Sequence, residues 1–387
     1  MSVASLAEKL WPFTLSISEK RSGTRVSFGG QVRCRFFGDK KREFQEAKAI
    51  DLAHGGIRLL TPLEVKAGDH LELKVYIGKI KRTVKFTGKV IWSKPLKGGT
   101  FATESGVRFV DLKDPSHIGF LADEICLLAK ESWSRTGCRP AETLEELKAA
   151  YRLVYKEFLK RGYCAPNVSE MHYHFFCTLP ESRTFFLEEK GKLLGTLSLI
   201  VDSPCGLPLE AVFHDELNAL RKPERKLAEV GLLAMDESAF GEKRFLLTNF
   251  QKLASTFKLF KIMFDCARFS GVTDLIIGIH PKHEALYRYL MFETIGPVRS
   301  YPGVCGKPVL QMRLRMESAI QGASLGKIAP RYFVERATFP NVLKKHYPWT
   351  NQAVRELLVD TQSLWFKMSP VQQTYLKNCY PGLSGME

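Results

Sequence analysis

The spacing of apolar and polar positions changes character along the chain. From Arg25 to about Val110 they alternate in short runs, punctuated by Gly29-Gly30, Gly38-Asp39, Gly55-Gly56, Gly68-Asp69 and Gly98-Gly99. A period of two, with closely set turns and no long helix between, predicts consecutive antiparallel strands, among them Lys85–Trp92 and Val107–Val110. Such strands close into a barrel or a small sandwich. A helix is expected over about Pro115–Lys130. The polar stretch Glu131–Pro140, with a glycine, a proline and three hydroxyl residues, reads as a linker.

Beyond it the period becomes helical. Thr143-x-x-Glu146 is a capping box, Leu147, Tyr151, Val154 and Phe158 share one face, and Gly162 stops the helix. Strands are expected at Arg183–Glu188, Leu193–Val201 and Leu227–Met235. A long helix carries Phe250, Leu253, Phe257, Phe260 and Phe264 before Gly271. A strand (Asp274–Ile279), a short helix (His283–Leu290) and a last strand (Val309–Met316) come next. This is an α+β layout, helices and strands behind an antiparallel β-barrel or small sandwich. From about Ala329 the tail is helical and aromatic, with Thr350 and Ser369-Pro370 as helix starts. The expected division is a barrel domain at 1–130, a linker at 131–141, an α+β domain at 142–320 and a helical extension at 321–387. A chain of 387 residues is long enough for two domains or more.

Composition narrows the class. With 45% hydrophobic and 25% charged residues, a disordered, collagenous or coiled-coil chain is excluded. The net charge is +16, which implies an acidic or phosphorylated partner without identifying it. By count the first 130 residues carry 23 Lys/Arg against 14 Asp/Glu, and the rest 34 against 27, so the excess is denser at the front. Nine scattered cysteines with no CxxC pair argue against a disulfide framework or a zinc site and fit a reducing cytoplasm. The start lacks a signal-peptide pattern, and the longest apolar run, near Leu193–Val201, is too short to span a bilayer. The expectation is a cytoplasmic protein.

Two motifs in the front part combine. Arg21-Ser-Gly-Thr-Arg25 precedes the first strand, and Asp51-Leu-Ala-His-Gly-Gly56 stands about 25 residues later. RxxxR followed by [D/N]xSxxG resembles the PilZ domain, a β-barrel that binds cyclic di-GMP, over roughly residues 20–128. The resemblance implies that Arg21, Arg25, Asp51, Ala53 and Gly56 contact the dinucleotide, as effector. The chemistry is coherent: guanidinium groups bind phosphate and guanine O6/N7 bidentately and stack on purines. Asp51 would accept from the opposite guanine edge, and Gly56 would let the backbone approach closely. Ala53 stands where the family has serine and removes a hydroxyl hydrogen bond, about 1 kcal/mol.

In the back part, Ala285–Gly296 looks like the GNAT acyltransferase pattern Y-x-x-x-G-F-x-x-x-G, with Tyr287 at its tyrosine and Met291 in place of its glycine. GNAT enzymes hold the donor's pantetheine arm where two parallel strands splay, here Leu227–Met235 and Asp274–Ile279. Gly195-Thr-Leu, Gly206-Leu-Pro-Leu-Glu210, Glu216-Leu-x-x-Leu-Arg221 and Leu227–Ala234 extend the likeness, over about residues 143–316, to the long-chain N-acyl amino acid synthases of the FeeM-like group. These move a fatty acyl chain from acyl carrier protein to an amino acid. The glycine-rich pyrophosphate turn of CoA-using relatives is replaced by Asp236–Arg244, with one glycine and three acids. The implied donor is therefore the acyl-phosphopantetheine of acyl carrier protein, with no tightly bound cofactor.

An amine acceptor, with a pKa near 8, needs a base. Glu229, on an otherwise apolar strand, is the expected base, the alternative being an ion pair with a basic side chain. Amides around Leu232 and Leu233 would hold the thioester oxygen, freed by a bulge at Gly231, and Tyr287 would protonate the departing thiolate. Lys243, Arg244, Lys252, Lys258 and Lys261 are expected to present a basic face to the acidic carrier, with His280 and Lys282 near the pantetheine path. His280 and His283 lack a third metal ligand, so no metal is expected. His172 and His174 are expected to alternate on a strand with nothing else converging on them. Cys266 and Cys305 have no base partner. The reading is an N-acyltransferase acting on an amino acid and responding to cyclic di-GMP. It does not expect nucleic acid, and a lipid product leaves membrane-surface contact open. The alternatives are a non-catalytic cyclic di-GMP effector and a relative of the acyl-homoserine lactone synthases.

Overall fold

The computed structural model describes residues 26–27, 31–53, 56–77, 82–109, 118–133, 137–240, 246–325, 327–335 and 349–383. The chain divides into two compact units, one of Phe13–Leu127 with Phe240–Leu253 and one dominated by Leu128–Ala239 with Ala254–Glu387.

In the front unit, β1 (Val26–Ser27), β2 (Gln31–Phe36), β3 (Gln45–Ala53), β4 (Gly56–Thr61), β5 (His70–Ile77), β6 (Arg82–Pro95) and β7 (Thr103–Phe109) pair only antiparallel. The order β3-β2-β5-β6-β7-β4 returns to β3, so six strands close a barrel, with β1 added on β3. Closure leaves no free edge in the ring. Alternate residues fill the interior: Val32 and Cys34, Leu71, Leu73 and Val75, Phe86, Val107 and Phe109 are all buried. Helix α1 (Ile118–Glu131) comes after the barrel.

The rest of the chain forms β8 (Gly137–Pro140), α2 (Leu144–Arg161), β9 (Arg183–Glu189), β10 (Lys192–Val201), α3 (Glu210–Leu220), β11 (Leu227–Met235), α4 (Leu246–Phe269), β12 (Asp274–Ile279), α5 (Glu284–Tyr289), β13 (Glu293–Thr294), β14 (Arg299–Tyr301) and β15 (Lys307–Arg315). The sheet runs β13-β15-β12-β11-β10-β9-β8, and β11–β12 is its parallel pair. Both capping-box bonds of Thr143 and Glu146 form, and Gly162 ends α2 at φ +65°. That helix lies over β9, β10 and β11 and buries Leu147, Tyr151 and Val154. Two expectations change. The end of the supposed linker, Gly137–Pro140, is an edge strand paired with β9. Glu210–Leu220, which carries the Glu216–Arg221 motif, is a helix that the interrupted apolar pattern did not announce.

After β15 come α6 (Met316–Ser324) and α7 (Ile328–Val334). In the tail, Thr350 and Ser369 cap helices as expected, the latter with a full capping box and Pro370 in the first turn. Among the described residues no helix is long and apolar enough to cross a membrane.

Candidate functional site

β11 and β12 stay in register from Leu227–Asp274 to Val230–Ile277. Beyond that point β11 runs on to Met235 and β12 to Ile279 without pairing to each other, which is the splay expected of these two strands. On the other side of β11, Ser198 faces Gly231 and Thr196 faces Ala234, so Leu232 and Leu233 oppose Leu197 alone. This two-against-one count is a β-bulge, which disrupts the ladder locally. Its left-handed residue is Leu232, at φ +52°, and not Gly231 as the glycine suggested. A cavity of about 170 Å³ opens here, lined by β11 from Glu229 to Met235, by Ile277–His280, and by Phe260, Met263 and Phe264 of α4. Part of the phenylalanine stripe thus faces the cavity, while Leu253 and Phe257 pack as core.

Glu229 is 5% exposed and lines this cavity. Its Oε2 accepts from the Leu209 amide at 2.9 Å. Burial lifts its pKa to about 8, against the lowering effect of that amide bond and with a further rise from Glu210. The turn that presents the amide is built from the Gly206–Glu210 motif. Gly206 sits at φ +79°, where a Cβ would strike the Glu210 carboxylate. Arg221 clasps Asp202 at 2.7 and 2.8 Å and also bonds Glu210. The two sequence motifs are therefore one brace behind Glu229. Glu216 of the second motif pairs with Arg299 at 2.6 Å.

Residues not anticipated as a site form another part of the cavity wall: Arg161, Tyr163, His172 and His174. The two histidines lie in irregular chain, not on a strand, with ring centroids 5.8 Å apart. Burial lowers both to about 4, with His172 adding to the effect on His174, so both are neutral at pH 7. Among the described residues, His172 Nε2 is buried without a hydrogen-bond partner. Arg161 bonds Glu157 and Glu237, at 3.0 and 2.8 Å. The sequence hint was the i,i+4 pair Glu157–Arg161 at the end of α2, which reads as surface until Glu157 is found fully buried.

Tyr287 lines the cavity, its ring edge-on to Phe292 at 5.5 Å, and burial raises its pKa, keeping the phenol protonated. Met291 takes φ +74°, which explains why the pattern it departs from has glycine there. His280 also lines the cavity, its Nδ1 accepting from the Lys282 amide, and burial, then the Lys282 charge, lowers its pKa. The basic face is not formed as expected. Lys252, Lys258 and Lys261 are 2–5% exposed. Lys258 donates to the Ser132 carbonyl and Lys261 pairs with Asp265, since the apolar helix face they share is packed. Lys243 and Arg244 lie outside the described residues. Among the described residues no group of three His, Cys, Asp or Glu could hold a metal. Burial raises the Cys266 thiol, which disfavours the thiolate.

In the barrel, Asp51 approaches Arg58 at 3.9 Å, and Arg58 bonds Glu104 through Nε at 2.6 Å. Ala53 pairs with Gly56 at the β3–β4 turn. A Cβ on Gly56 would lie 2.4 Å from the Val107 carbonyl, so its close approach is to the barrel's own β7. Arg21 and Arg25 lie outside the described residues.

Residues 149–315 match the family model "N-acyl amino acid synthase FeeM", and residues 19–121 match the PilZ domain model. No curated protein matches the chain. Among solved structures, FeeM, an N-acyl amino acid synthase from uncultured soil microbes, is 31% identical, over 47% of this chain and 91% of that one, with a TM-score of 0.40. The AHL synthase LasI is 14% identical over 46% and 88%, TM-score 0.36. The CoA-dependent acyl-homoserine lactone synthase MesI is 13% identical over 50% and 90%, TM-score 0.34.

Proposed function

Because the chain belongs, through residues 149–315, to the FeeM family of N-acyl amino acid synthases and carries a PilZ domain ahead of it, we propose that it moves a long fatty acyl chain from acyl carrier protein to an amino acid's amine under cyclic di-GMP control. The observation that carries this reading is Glu229, a carboxyl held near pKa 8 at the mouth of the splay. A base of that pKa takes a proton from an amine far more readily than an ordinary carboxylate would, because the gap between the two pKa values is smaller. The deprotonated amine attacks the thioester carbon. Charge on the carbonyl oxygen falls to the amides of the Leu232–Leu233 bulge. The collapsing intermediate expels the pantetheine thiolate, the Tyr287 phenol supplies its proton, and the second proton, shed by nitrogen as the amide forms, returns the phenolate to phenol. No acyl-enzyme step is needed.

The segment after β11 supports the choice of donor. A 3-10 turn, Glu237–Phe240, stands there, and Asp236 caps it by accepting from Ser238 while pairing with Lys156 at 3.0 Å. Carboxylates thus occupy the place where a pyrophosphate would need bare amides. The proposed dinucleotide contacts are Arg21, Arg25, Asp51, Ala53 and Gly56.

Incubation with palmitoyl-loaded acyl carrier protein and an equimolar mixture of the twenty amino acids is expected to give N-acyl amino acids by mass spectrometry. Product with palmitoyl-CoA but not with the carrier would refute the donor. Calorimetry with cyclic di-GMP is expected to show binding that Arg25→Ala removes. Ala53→Ser is expected to tighten it by less than about tenfold, the value of one hydroxyl bond.

A further inference from the structure

We propose that the C-terminal segment 349–383 is a positioning strap for the histidine-bearing wall of the cavity, with Gln362 and the Leu357 carbonyl as its clamps. The inference rests on reading the cavity as the transfer site. The wall, residues 169–178, is irregular apart from a 3-10 turn at Phe175–Thr178. Irregular chain has no ladder to hold it, so side chains must. Within the acyltransferase domain, the Asn167 amide group donates to the Met171 carbonyl and the His172 amide to Tyr151. The tail adds holds from outside the wall's own stretch of chain. Gln362 Nε2 donates to Ser169 Oγ at 3.0 Å and to the Met171 carbonyl. The Tyr173 hydroxyl donates to the Leu357 carbonyl at 2.6 Å, and the Tyr380 hydroxyl to Thr178 at 2.6 Å. These contacts bracket His172 and His174 on both sides.

The strap is stiff enough to act. Trp365, Val354, Leu358, Leu376 and Leu383 are buried in a core of their own against Leu179 and Cys205. Leu357 sits in a π-helical turn, Glu356–Thr361, a geometry that is rare and concentrated at functional sites. The object held is also suited to a ligand. Among the described residues His172 Nε2 is buried without a hydrogen-bond partner, and His172 shares the cavity lining with Arg161. A buried polar atom in that state calls for a hydrogen-bond partner from the cavity.

The test uses the full chain with Gln362→Ala and, separately, Tyr173→Phe, which keeps the ring stacked 4.6 Å from Tyr151. The readouts are the half-saturating concentration of the twenty-amino-acid mixture, that of palmitoyl-acyl carrier protein, the thermal midpoint and the NMR titration of the His172 ring. In both variants the amino-acid value is expected to rise about tenfold, with the carrier value within about twofold. The His172 titration is expected to move from about 4 toward its ordinary value. A lowered thermal midpoint with amino-acid saturation and titration unchanged would overturn the strap, leaving the tail a stabiliser only. Equal shifts for both substrates would overturn it too. If the wild-type protein makes no amide, the transfer reading fails by itself and the His172 titration alone decides: a shift supports the strap and its absence refutes it.

Discussion

Met291 and Leu232 both hold a left-handed backbone, at φ +74° and +52°, without being glycine or asparagine. Non-glycine residues pay about 1 kcal/mol or more for that conformation. At Met291 a β-branched side chain would deepen the clash. Met291→Val is therefore expected to destabilise by about 2 kcal/mol in urea denaturation, and Met291→Gly to change stability by less than about 1 kcal/mol. Glu229 shows how burial sets chemistry at one residue. With a pKa near 8, only about a tenth of it is ionised at pH 7. Turnover is expected to climb with pH up to about 8 and then level off. Glu229→Gln keeps an acceptor atom for the Leu209 amide but removes the proposed base, so a rate loss of about 10²–10⁴ is expected with the pH rise abolished.

At the scale of elements, the turn from Gly206 to Glu210 and helix α3 act as one part through Arg221. Neither Asp202 nor Glu210 is close in sequence to Arg221, so spacing alone cannot show the brace. Arg221→Lys loses the bidentate grip on Asp202. The Leu209 amide bond lowers the pKa of Glu229, so loosening it is expected to push the rising limb of the pH–rate profile above 8 and cut kcat at pH 7 several-fold. A profile unchanged in this variant would show the brace to be mere packing. The regular elements were legible because their signals are local. The expected bounds of Leu227–Met235 and Asp274–Ile279 match β11 and β12, since continuous apolar runs edged by turns leave little choice of register. Helix α3 was hidden by its own break: Phe213 has non-helical angles, φ −128° and ψ 40°, which interrupts the periodicity.

At the scale of the whole molecule, buried groups of opposite kind shape the response to pH. His172 and His174 are lowered to about 4, so an unfolded chain binds protons between pH 6.5 and 4 that the folded one refuses, and stability falls as pH drops through that window. Glu229 works the other way. Its pKa is raised from 4.5 to about 8, so the folded form keeps a proton the unfolded chain releases, and stability falls as pH rises across that window. Together these groups place the maximum near pH 6.5. Thermal midpoints measured from pH 4 to 9 are expected to peak there, with the acid limb flattened in a His172→Gln, His174→Gln variant.

The net charge of +16 illustrates what composition can and cannot decide. It implied an acidic partner, yet Lys258 and Lys261, two of the residues expected to meet that partner, turn inward to a carbonyl and a carboxylate. Charge is a property of composition, whereas the direction of a side chain depends on which helix face is covered. The family resemblances pointed to the closed barrel and the splaying pair. The sequence by itself determined the antiparallel strands at the front, most of the helices and strands behind them, the caps at Thr143, Thr350 and Ser369, and Glu229 as an expensive acid on an apolar strand. Each arises from periodicity, capping or burial cost within a few residues. Only the tertiary structure decided that His172, His174 and Arg161 share a cavity with Glu229, that Leu232 carries the bulge, and that the tail reaches back some 190 residues to hold the histidine wall. Those contacts join chain segments with no pattern in common, and only packing brings them together.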